Sequence, residues 1–440
     1  MAIMPDQDRA ALSAPLLPRP VSLSTSSSFS ASSSPAADAA AAAPMPMPRD
    51  TACCKALAVL RDAHPGGGSV SCLSLCGEFL LSASTGADIV AWQQPDLRRF
   101  ARFGHGGEGA VKALAASGGR VFSAHQDGRV RVWRVSRCYR SENAFKLVTA
   151  LPTTRDYLGK VFRQASYDGA AQQSRRRRGG RRRLWIEHAD SISCLALHDG
   201  NVYSGSWDKT LKVWRMADLR CVESIRAHDD AINAVAADAG IIYSASADGR
   251  VKAWEKGKAG GSHSLQGILI ARDGVSWNAV AVSADGGGRR RVYAAGSDGH
   301  LVGWDRLGGG GEVRWSLACD VKAHAMAVLC LCVAGDLVCT GSADKTMGLW
   351  RRQTSGGGLA RIGAVGGHEG PVKCLQASWC RASNGCMVYS GGLDKSIRVW
   401  WVPSGQNGDD EQRNEKGTKD DHDHKPPSNA NPKTASEFAP

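Results

Sequence analysis

The chain has 440 residues and a formal net charge of +13, with 42% apolar and 22% charged residues. This length is too great for one ordinary hydrophobic core unless the fold is repetitive or barrel-like. No run approaches the ~18 consecutive apolar residues of a transmembrane helix, so we expect no membrane span.

The chain contains 14 cysteines, a number that fits a disulfide framework or zinc sites until their positions are considered. Cys72, Cys194, Cys330 and Cys374 lie in apolar, strand-like runs, where a thiol behaves as a small buried hydrophobe. No CxxC pair is followed by a matching second pair or by histidines, so we expect no zinc, and no motif indicates a cofactor. Free thiols fit a reducing intracellular compartment.

The N-terminal segment 1–52 is rich in serine, alanine and proline and too poor in apolar residues to fold. We therefore predict a disordered tail. An organelle transit peptide is disfavoured, because Asp6 and Asp8 lie near the terminus and arginines are few. The charged C-terminal segment 403–440 is also predicted to be disordered.

Between the tails a short pattern recurs: "YSGSWDKTLKVW" at 203–214 has counterparts such as "IYSASADGRVKAW" and "VYSGGLDKSIRVW". Each copy is typical of two alternating strands around an Asp-Lys or Asp-Gly turn, with one further strand before it and one after it. Seven copies end in a tryptophan, namely Trp92, Trp133, Trp214, Trp254, Trp304, Trp350 and Trp400. Four-stranded units of this kind bury both faces only when stacked radially, which indicates an all-β propeller over 53–402.

These units resemble WD repeats, and seven copies imply a seven-bladed WD-repeat β-propeller. The last unit stops after Val402, where a fourth strand should follow, and "PSGQNGDDEQ" cannot form one. The segment Lys55–Arg61 matches the outer strand of the other units. We predict that this N-terminal strand completes the last blade and closes the ring, which removes an exposed edge.

The resemblance also implies a set of four hydrogen-bonded residues in each blade: a histidine before the first strand, a serine or threonine in the second, an aspartate in the turn and a tryptophan in the third. Five complete sets match this pattern: His105, Ser123, Asp127 and Trp133; His188, Ser204, Asp208 and Trp214; His228, Ser244, Asp248 and Trp254; His324, Thr340, Asp344 and Trp350; and His368, Ser390, Asp394 and Trp400. A serine, a histidine and an aspartate also suggest a catalytic triad. A nucleophile has no need to recur in blade after blade beside a buried indole, so we interpret these residues as structural and expect no enzyme.

Two blades depart from the pattern. The first has Gly86 in place of the aspartate, and the fifth has Ala294 in place of the serine and Arg272 in place of the histidine. We expect packing to hold these two blades more than hydrogen bonds do.

An insert at 152–184 separates the second and third units and carries much of the positive charge. Its start, "TTRDYLGKVFRQ", predicts a short helix with a threonine cap. Seven arginines follow, namely Arg175, Arg176, Arg177, Arg178, Arg181, Arg182 and Arg183. The expected topology puts the insert on the same rim as the aspartate turns, the usual partner-binding face of WD-repeat propellers. Three interpretations stay open: a nuclear-import signal, a patch for acidic partners or for nonspecific nucleic-acid binding, or a solvated loop.

The order of "LVTALPTTRDYLGKVF", the basic insert, "WIEHADSISCLAL" and "YSGSWDKTLKVW" resembles a plant WD-repeat group called JINGUBANG-like, which shares the Leu-Pro-Thr-Thr segment. The resemblance implies a non-enzymatic regulator that acts through protein contacts. The theme suggested for that group is restraint of pollen germination and growth.

We therefore predict a monomeric protein-interaction scaffold in the nucleus or the cytoplasm. Trp207 and Leu393 stand directly before turn aspartates and are candidate contacts for a partner, since a tryptophan on a rim can be a binding hot spot. Packing of Trp207 on the insert helix is the competing interpretation.

A substrate-receptor subunit of a ubiquitin ligase is the alternative function. Such receptors need an acidic residue after the third-strand tryptophan and an arginine two positions later. Glu255 and Asp305 begin this pattern, but Gly257 and Leu307 end it.

Overall fold

A computed structural model describes residues 53–64, 66–104, 109–136, 144–157, 184–257, 261–284, 290–307, 314–353, 358–380 and 384–404. In these ranges the chain is almost entirely β-strand, and a single helical turn lies at 154–157. The predicted tails lie outside the described residues, apart from the boundary residues 403–404. No helix in these ranges has the length and apolar character needed to cross a bilayer.

The strands form seven four-stranded antiparallel sheets, the blades of a propeller. Blade 1 contains β2–β5, each later blade takes the next four strands, and blade 7 combines β26–β28 with β1. The strands are β1 (Lys55–Leu60), β2 (Val70–Cys76), β3 (Phe79–Ser84), β4 (Ile89–Gln93), β5 (Arg98–Phe103), β6 (Val111–Ser117), β7 (Arg120–His125), β8 (Val130–Val135), β9 (Phe145–Leu151), β10 (Ile192–His198), β11 (Asn201–Ser206), β12 (Thr210–Arg215), β13 (Arg220–Arg226), β14 (Ile232–Asp238), β15 (Ile241–Ser246), β16 (Val251–Lys256), β17 (His263–Leu269), β18 (Trp277–Ala284), β19 (Arg290–Gly296), β20 (His300–Leu307), β21 (Arg314–Lys322), β22 (Val328–Ala334), β23 (Leu337–Ser342), β24 (Met347–Arg352), β25 (Leu359–Val365), β26 (Val372–Cys380), β27 (Gly385–Gly392) and β28 (Ile397–Pro403).

The predicted closure of the ring is confirmed. β1 pairs antiparallel with β28, from Lys55 opposite Trp401 to Leu60 opposite Ile397. The N-terminal strand thus supplies the outer strand of blade 7, which binds the start of the propeller to its end.

The hydrophobic core lies between neighbouring blades rather than inside any one of them. Seven clusters of buried apolar side chains fill the seven interfaces, and the third-strand tryptophans take part in all of them. The second strand of blade 3, β11, is buried along its whole length. This arrangement explains why one repeat cannot fold alone and why seven together can.

The turns between second and third strands have the geometry that the Asp-Gly and Asp-Lys pairs predict. The residue after the aspartate adopts a positive φ, such as 73° at Lys209 and 74° at Gly128. In blade 3 the carboxylate of Asp208 accepts the backbone N–H of Thr210 at 2.9 Å, which fixes the turn. We call the surface formed by these turns and by the connections from outer to inner strands the turn rim, and the other end of the propeller the opposite rim.

Candidate functional site

Four residues of blade 3 form a continuous relay of hydrogen bonds from the turn rim into the core. The Nδ1–H of His188 donates to Asp208 at 2.9 Å, and the hydroxyl of Ser204 donates to Nε2 of His188 at 2.8 Å. The indole N–H of Trp214 donates to Ser204 at 2.9 Å. Because Ser204 is fully buried, its hydroxyl is not accessible to a substrate.

The same relay exists in blades 4, 6 and 7, with donor–acceptor distances between 2.7 and 3.1 Å. Each relay links the segment before the inner strand of its blade to the second strand, the third strand and the turn between them. The residues that it brings together are His228, Ser244, Asp248 and Trp254 in blade 4; His324, Thr340, Asp344 and Trp350 in blade 6; and His368, Ser390, Asp394 and Trp400 in blade 7.

The central hydroxyls of these three relays are as inaccessible as that of Ser204. Ser244, Thr340 and Ser390 are each fully buried, with no solvent exposure. The hydroxyl of Ser244 lies 2.7 Å from the imidazole of its blade, and those of Thr340 and Ser390 lie 2.8 Å from theirs. Ser244, Thr340 and Ser390 are therefore not exposed at the surface, and the side chains that a partner could contact are the exposed ones of the rim.

Burial sets the protonation of these relays. It lowers the pKa of His188, His228 and His368, although hydrogen bonds and charges from the partner aspartates oppose the shift. Burial alone would raise the pKa of Asp208 and Asp344, but the paired imidazole and a neighbouring threonine hold both well below the usual range, that of Asp344 at about 2. At neutral pH the relays of blades 3, 4 and 7 therefore contain a neutral imidazole and a carboxylate.

Blade 2 differs from its predicted set. His105 lies outside the described residues, and the imidazole that contacts the fully buried Ser123 belongs to His125, with Nε2 at 2.8 Å. Asp127 pairs instead with Arg131 at 2.7 Å. Ser123 and His125 are two residues apart in one strand and so point to the same face, a signal that was present in the sequence.

Blade 1 keeps only part of the relay. Nε2 of His64 lies 3.1 Å from Ser82, which accepts the indole N–H of Trp92 at 2.8 Å. Asp88 pairs with Arg102 at 2.5 Å, and in the described part of the chain the buried Nδ1 of His64 has no hydrogen-bond partner. Burial lowers the pKa of His64 to about 4.

Blade 5 replaces the relay by an ion pair and by aromatic packing. Arg272 donates to Asp298 at 2.6 Å. Ala294 offers no hydroxyl, and the buried indole N–H of Trp304 has no hydrogen-bond partner among the described residues. The fully buried Trp277 packs edge-on against Trp304, with ring centroids 5.9 Å apart.

Trp207 and Leu393 lie on the turn rim and are exposed, by 43% and 45%. The ammonium of Lys112, at the start of the inner strand of blade 2, stands 5.5 Å from the centre of the Trp207 ring. The sequence pattern did not single out Lys112, because its contact with Trp207 joins two different blades. Met326 of blade 6 is a further exposed side chain on this rim, at 55%.

The start of the insert has the predicted cap. The backbone N–H of Asp156 donates to the Thr153 hydroxyl at 3.3 Å, and the backbone N–H of Thr153 donates back to the Asp156 carboxylate at 3.0 Å. The rest of the predicted helix and the seven arginines lie outside the described residues.

Asp305 is one of the two acidic residues that begin a ubiquitin-ligase motif. It pairs within its own blade with the buried Arg291 at 2.6 Å.

Comparison with known proteins gives the same architecture. The family "WD domain, G-beta repeat" matches residues 181–215, 219–255, 315–351 and 360–400, which include the relay residues of blades 3, 4, 6 and 7. A computationally designed protein of known crystal structure, Ika8, superposes with a TM-score of 0.50 at 20% identity and covers 76% of this chain and 96% of its own. This likeness concerns the fold alone.

Three curated relatives match parts of the chain. The ribosome biogenesis protein WDR12 homolog of Chlamydomonas reinhardtii is 30% identical over 50% of this chain and 46% of its own. Periodic tryptophan protein 2 of Saccharomyces cerevisiae is 37% identical over 17% of this chain and 7% of its own, and the zinc finger CCCH domain-containing protein 17 of Oryza sativa is 26% identical over 28% and 20%. The chain spans less than half the length of each of these relatives. The chain is thus a seven-bladed β-propeller, and four of its blades contain matched WD repeats.

Proposed function

We propose that this propeller is a non-catalytic scaffold that binds a segment of a partner protein on its turn rim, with Trp207 as the central contact. The observation that carries the proposal is an exposed indole held on a rigid turn. The turn is anchored by Asp208, and the backbone N–H of Trp207 donates to Ser191 at 3.1 Å. A preorganised tryptophan loses little conformational entropy when a partner covers it, which is why indoles dominate binding hot spots.

Lys112 gives this contact a charge preference. Its ammonium lies above the Trp207 ring, so a partner that covers the indole also meets a positive charge. A segment with an acidic residue beside an apolar one suits this pair best. Leu393, and Met326 in a neighbouring blade, offer further apolar contacts on the same rim.

The biological role that we propose is regulatory, as the resemblance to the JINGUBANG-like group implies. The arginines of the insert would add nuclear import or a second contact with acidic partners. The similarity to the WDR12 homolog of Chlamydomonas reinhardtii supports a second candidate, a place in a ribosome-assembly complex. A fluorescent fusion separates the two: accumulation in the nucleolus favours assembly, whereas a nucleoplasmic or cytoplasmic distribution favours the regulatory role.

The binding proposal is tested with Trp207→Ala in the full chain. Gln126→Ala is the matched control, because Gln126 holds the same turn position in blade 2 and is exposed. Partners recovered by affinity purification with the wild type should be lost with Trp207→Ala, a loss of about 2 kcal/mol or roughly 30-fold in affinity for a hot spot. They should be retained with Gln126→Ala.

Equal recovery by all three proteins would contradict the assignment of Trp207. A variant that lacks residues 175–183 tests the insert separately. Unchanged partners and unchanged nuclear entry in that variant would remove the arginines from the proposal.

A further inference from the structure

The outer strand of blade 3 carries one residue that breaks the repeat. Glu223 pairs with Val213, the residue directly before the third-strand tryptophan. In the other six blades the equivalent position holds a small residue, namely Ala101, Thr149, Gly267, Cys319, Gly363 and Ala58. A glutamate here therefore has no counterpart in the other blades.

Glu223 anchors the outer strand of blade 4. Its carboxylate accepts the backbone N–H of His263 at 3.0 Å and the imidazole Nδ1–H at 2.6 Å. Nε2 of His263 accepts the hydroxyl of Tyr203 at 3.3 Å. Burial raises the pKa of Tyr203 to about 12, so this hydroxyl remains a donor at any physiological pH. Two N–H groups of His263 thus stabilise the Glu223 carboxylate by hydrogen bonds.

This joint leaves a cavity of about 250 Å³ between blades 3 and 4 on the opposite rim. The contact between blades 4 and 5 differs. There Gly267 holds the position of Glu223, and the indole of Trp315 fills the space beside it, so closely that a Cβ on Gly267 would lie 2.8 Å from the indole nitrogen. The lining of the cavity combines two cations, Arg215 and Lys256, with an apolar wall made by Val213 and Val222. The Glu223 carboxylate also borders the cavity, where it is engaged by His263.

Both cations have hydrogen-bond donors that can contact a ligand. Asp218 contacts Arg215 through Nε at 3.1 Å, and no described residue accepts a hydrogen bond from the terminal N–H groups of this guanidinium. Within the described residues no carboxylate pairs with Lys256, whose side chain is exposed. An arginine and a lysine that share one cavity suit a doubly charged tetrahedral oxyanion better than a singly charged carboxylate.

We infer that this cavity binds the phosphoryl group of a phosphorylated side chain of a partner protein. Arg215 and Lys256 hold the phosphate oxygens, and the aliphatic stem lies against Val213 and Val222. The volume exceeds that of a phosphate alone, which leaves room for such a stem. The site lies on the opposite rim from Trp207, so it goes beyond the proposed function and fails or succeeds independently of it.

The experiment uses the full chain and O-phosphoserine as the probe, at constant ionic strength. Binding to the folded state should raise the melting temperature of the wild type. The control variant Arg134→Ala, which changes the exposed arginine directly after the third-strand tryptophan of blade 2, should show the same rise. The double variant Arg215→Ala with Lys256→Ala should bind at least about tenfold more weakly in isothermal titration.

Control ligands distinguish binding of phosphate from binding of other charged groups. Serine should give no rise, and aspartate at the same concentration should give a smaller one than phosphoserine. Equal rises with aspartate and phosphoserine would overturn the assignment to phosphate, as would equal rises in all variants. Binding of a single-stranded oligonucleotide that depends on Arg215 and Lys256, without binding of phosphoserine, would also overturn it. If the double variant melts below the wild type without a probe, Lys256→Gln alone is titrated in its place, and unchanged affinity there counts against the site.

Discussion

Blades 3 and 5 have the same four-stranded sheet but are held together by different interactions. In blade 3 a buried relay runs from Asp208 through His188 and Ser204 to Trp214. In blade 5 the Asp298 carboxylate pairs with Arg272 of the turn rim. The indole N–H of Trp304 has no acceptor among the described residues. The fold therefore tolerates loss of the relay when other contacts replace it.

Besides this ion pair, apolar contact replaces the relay. Trp277 begins the inner strand of blade 5 at the position that Ile192 holds in blade 3, and both side chains are fully buried. The larger indole packs edge-on against Trp304 and donates its N–H to the carbonyl of Gly249 in the preceding blade at 2.9 Å. The four blades whose relay residues the WD family matches are also the four in which the described residues form a complete relay. Divergence at the polar residues thus accompanies a gain in packing in blade 5.

The largest effect should come from removing that packing. We expect Trp277→Ala to lower the free energy of unfolding by about 3–5 kcal/mol, because it leaves a large cavity and frees the Gly249 carbonyl. Ile192→Ala is the matched change in blade 3 and should cost less, since fewer atoms are removed and the relay remains. Urea denaturation of both variants provides the comparison. An equal or greater cost for Ile192→Ala would contradict the view that blade 5 depends more on packing.

The second prediction concerns the pH dependence of stability. A buried imidazole changes its protonation in the accessible pH range, whereas Arg272 of blade 5 stays charged. Blade 1 gives the sharpest case, because His64 has lost its carboxylate partner and its pKa lies at about 4 in the folded state. The unfolded value is near 6.5, so between these values only the unfolded chain binds the proton. The free energy of unfolding should thus be highest above pH 6.5 and fall as the pH drops to 4, by up to about 3 kcal/mol from this residue.

His64→Gln removes that titration. Its stability at pH 7 should be lower than that of the wild type, because the contact with Ser82 is altered, but the loss between pH 6.5 and pH 4 should be smaller. Thermal unfolding of both proteins at several pH values measures the two slopes. Parallel slopes would show that His64 is protonated equally in the folded and unfolded states.

Most of the fold could be predicted from the sequence, because strand alternation, the Asp-Gly and Asp-Lys turns and the spaced tryptophans are local signals. Closure of the ring was also predictable, since blade 7 lacked a strand and the segment from Lys55 offered one. Contacts between blades could not be predicted from the sequence. The ammonium of Lys112 above Trp207 and the contact between Glu223 and His263 depend on distances that no repeat pattern encodes.

The third prediction tests the relay directly. Ser204→Ala removes the acceptor of the Trp214 indole and the donor to His188, so two buried polar atoms lose a partner. The expected cost is about 1–3 kcal/mol in free energy of unfolding. Ser74→Ala is the control, because Ser74 is also buried but makes no such bridge. Equal, small effects in the two variants would mean that the relay contributes little and that blade 3 resembles blade 5 more than its hydrogen bonds indicate.

The smallest effect should come from returning a hydroxyl to blade 5. Ala294 stands ten residues before Trp304, as Ser204 does before Trp214, and each pairs with the residue two before its tryptophan. Ala294→Ser should therefore supply the missing acceptor and stabilise the protein by about 1 kcal/mol or less, since the new hydroxyl has no imidazole to donate to. Ala295→Ser, the adjacent buried position on the other face of the strand, should destabilise. If both substitutions destabilise equally, the indole of Trp304 cannot be reached from position 294, and blade 5 has lost the geometry of the relay as well as its residues.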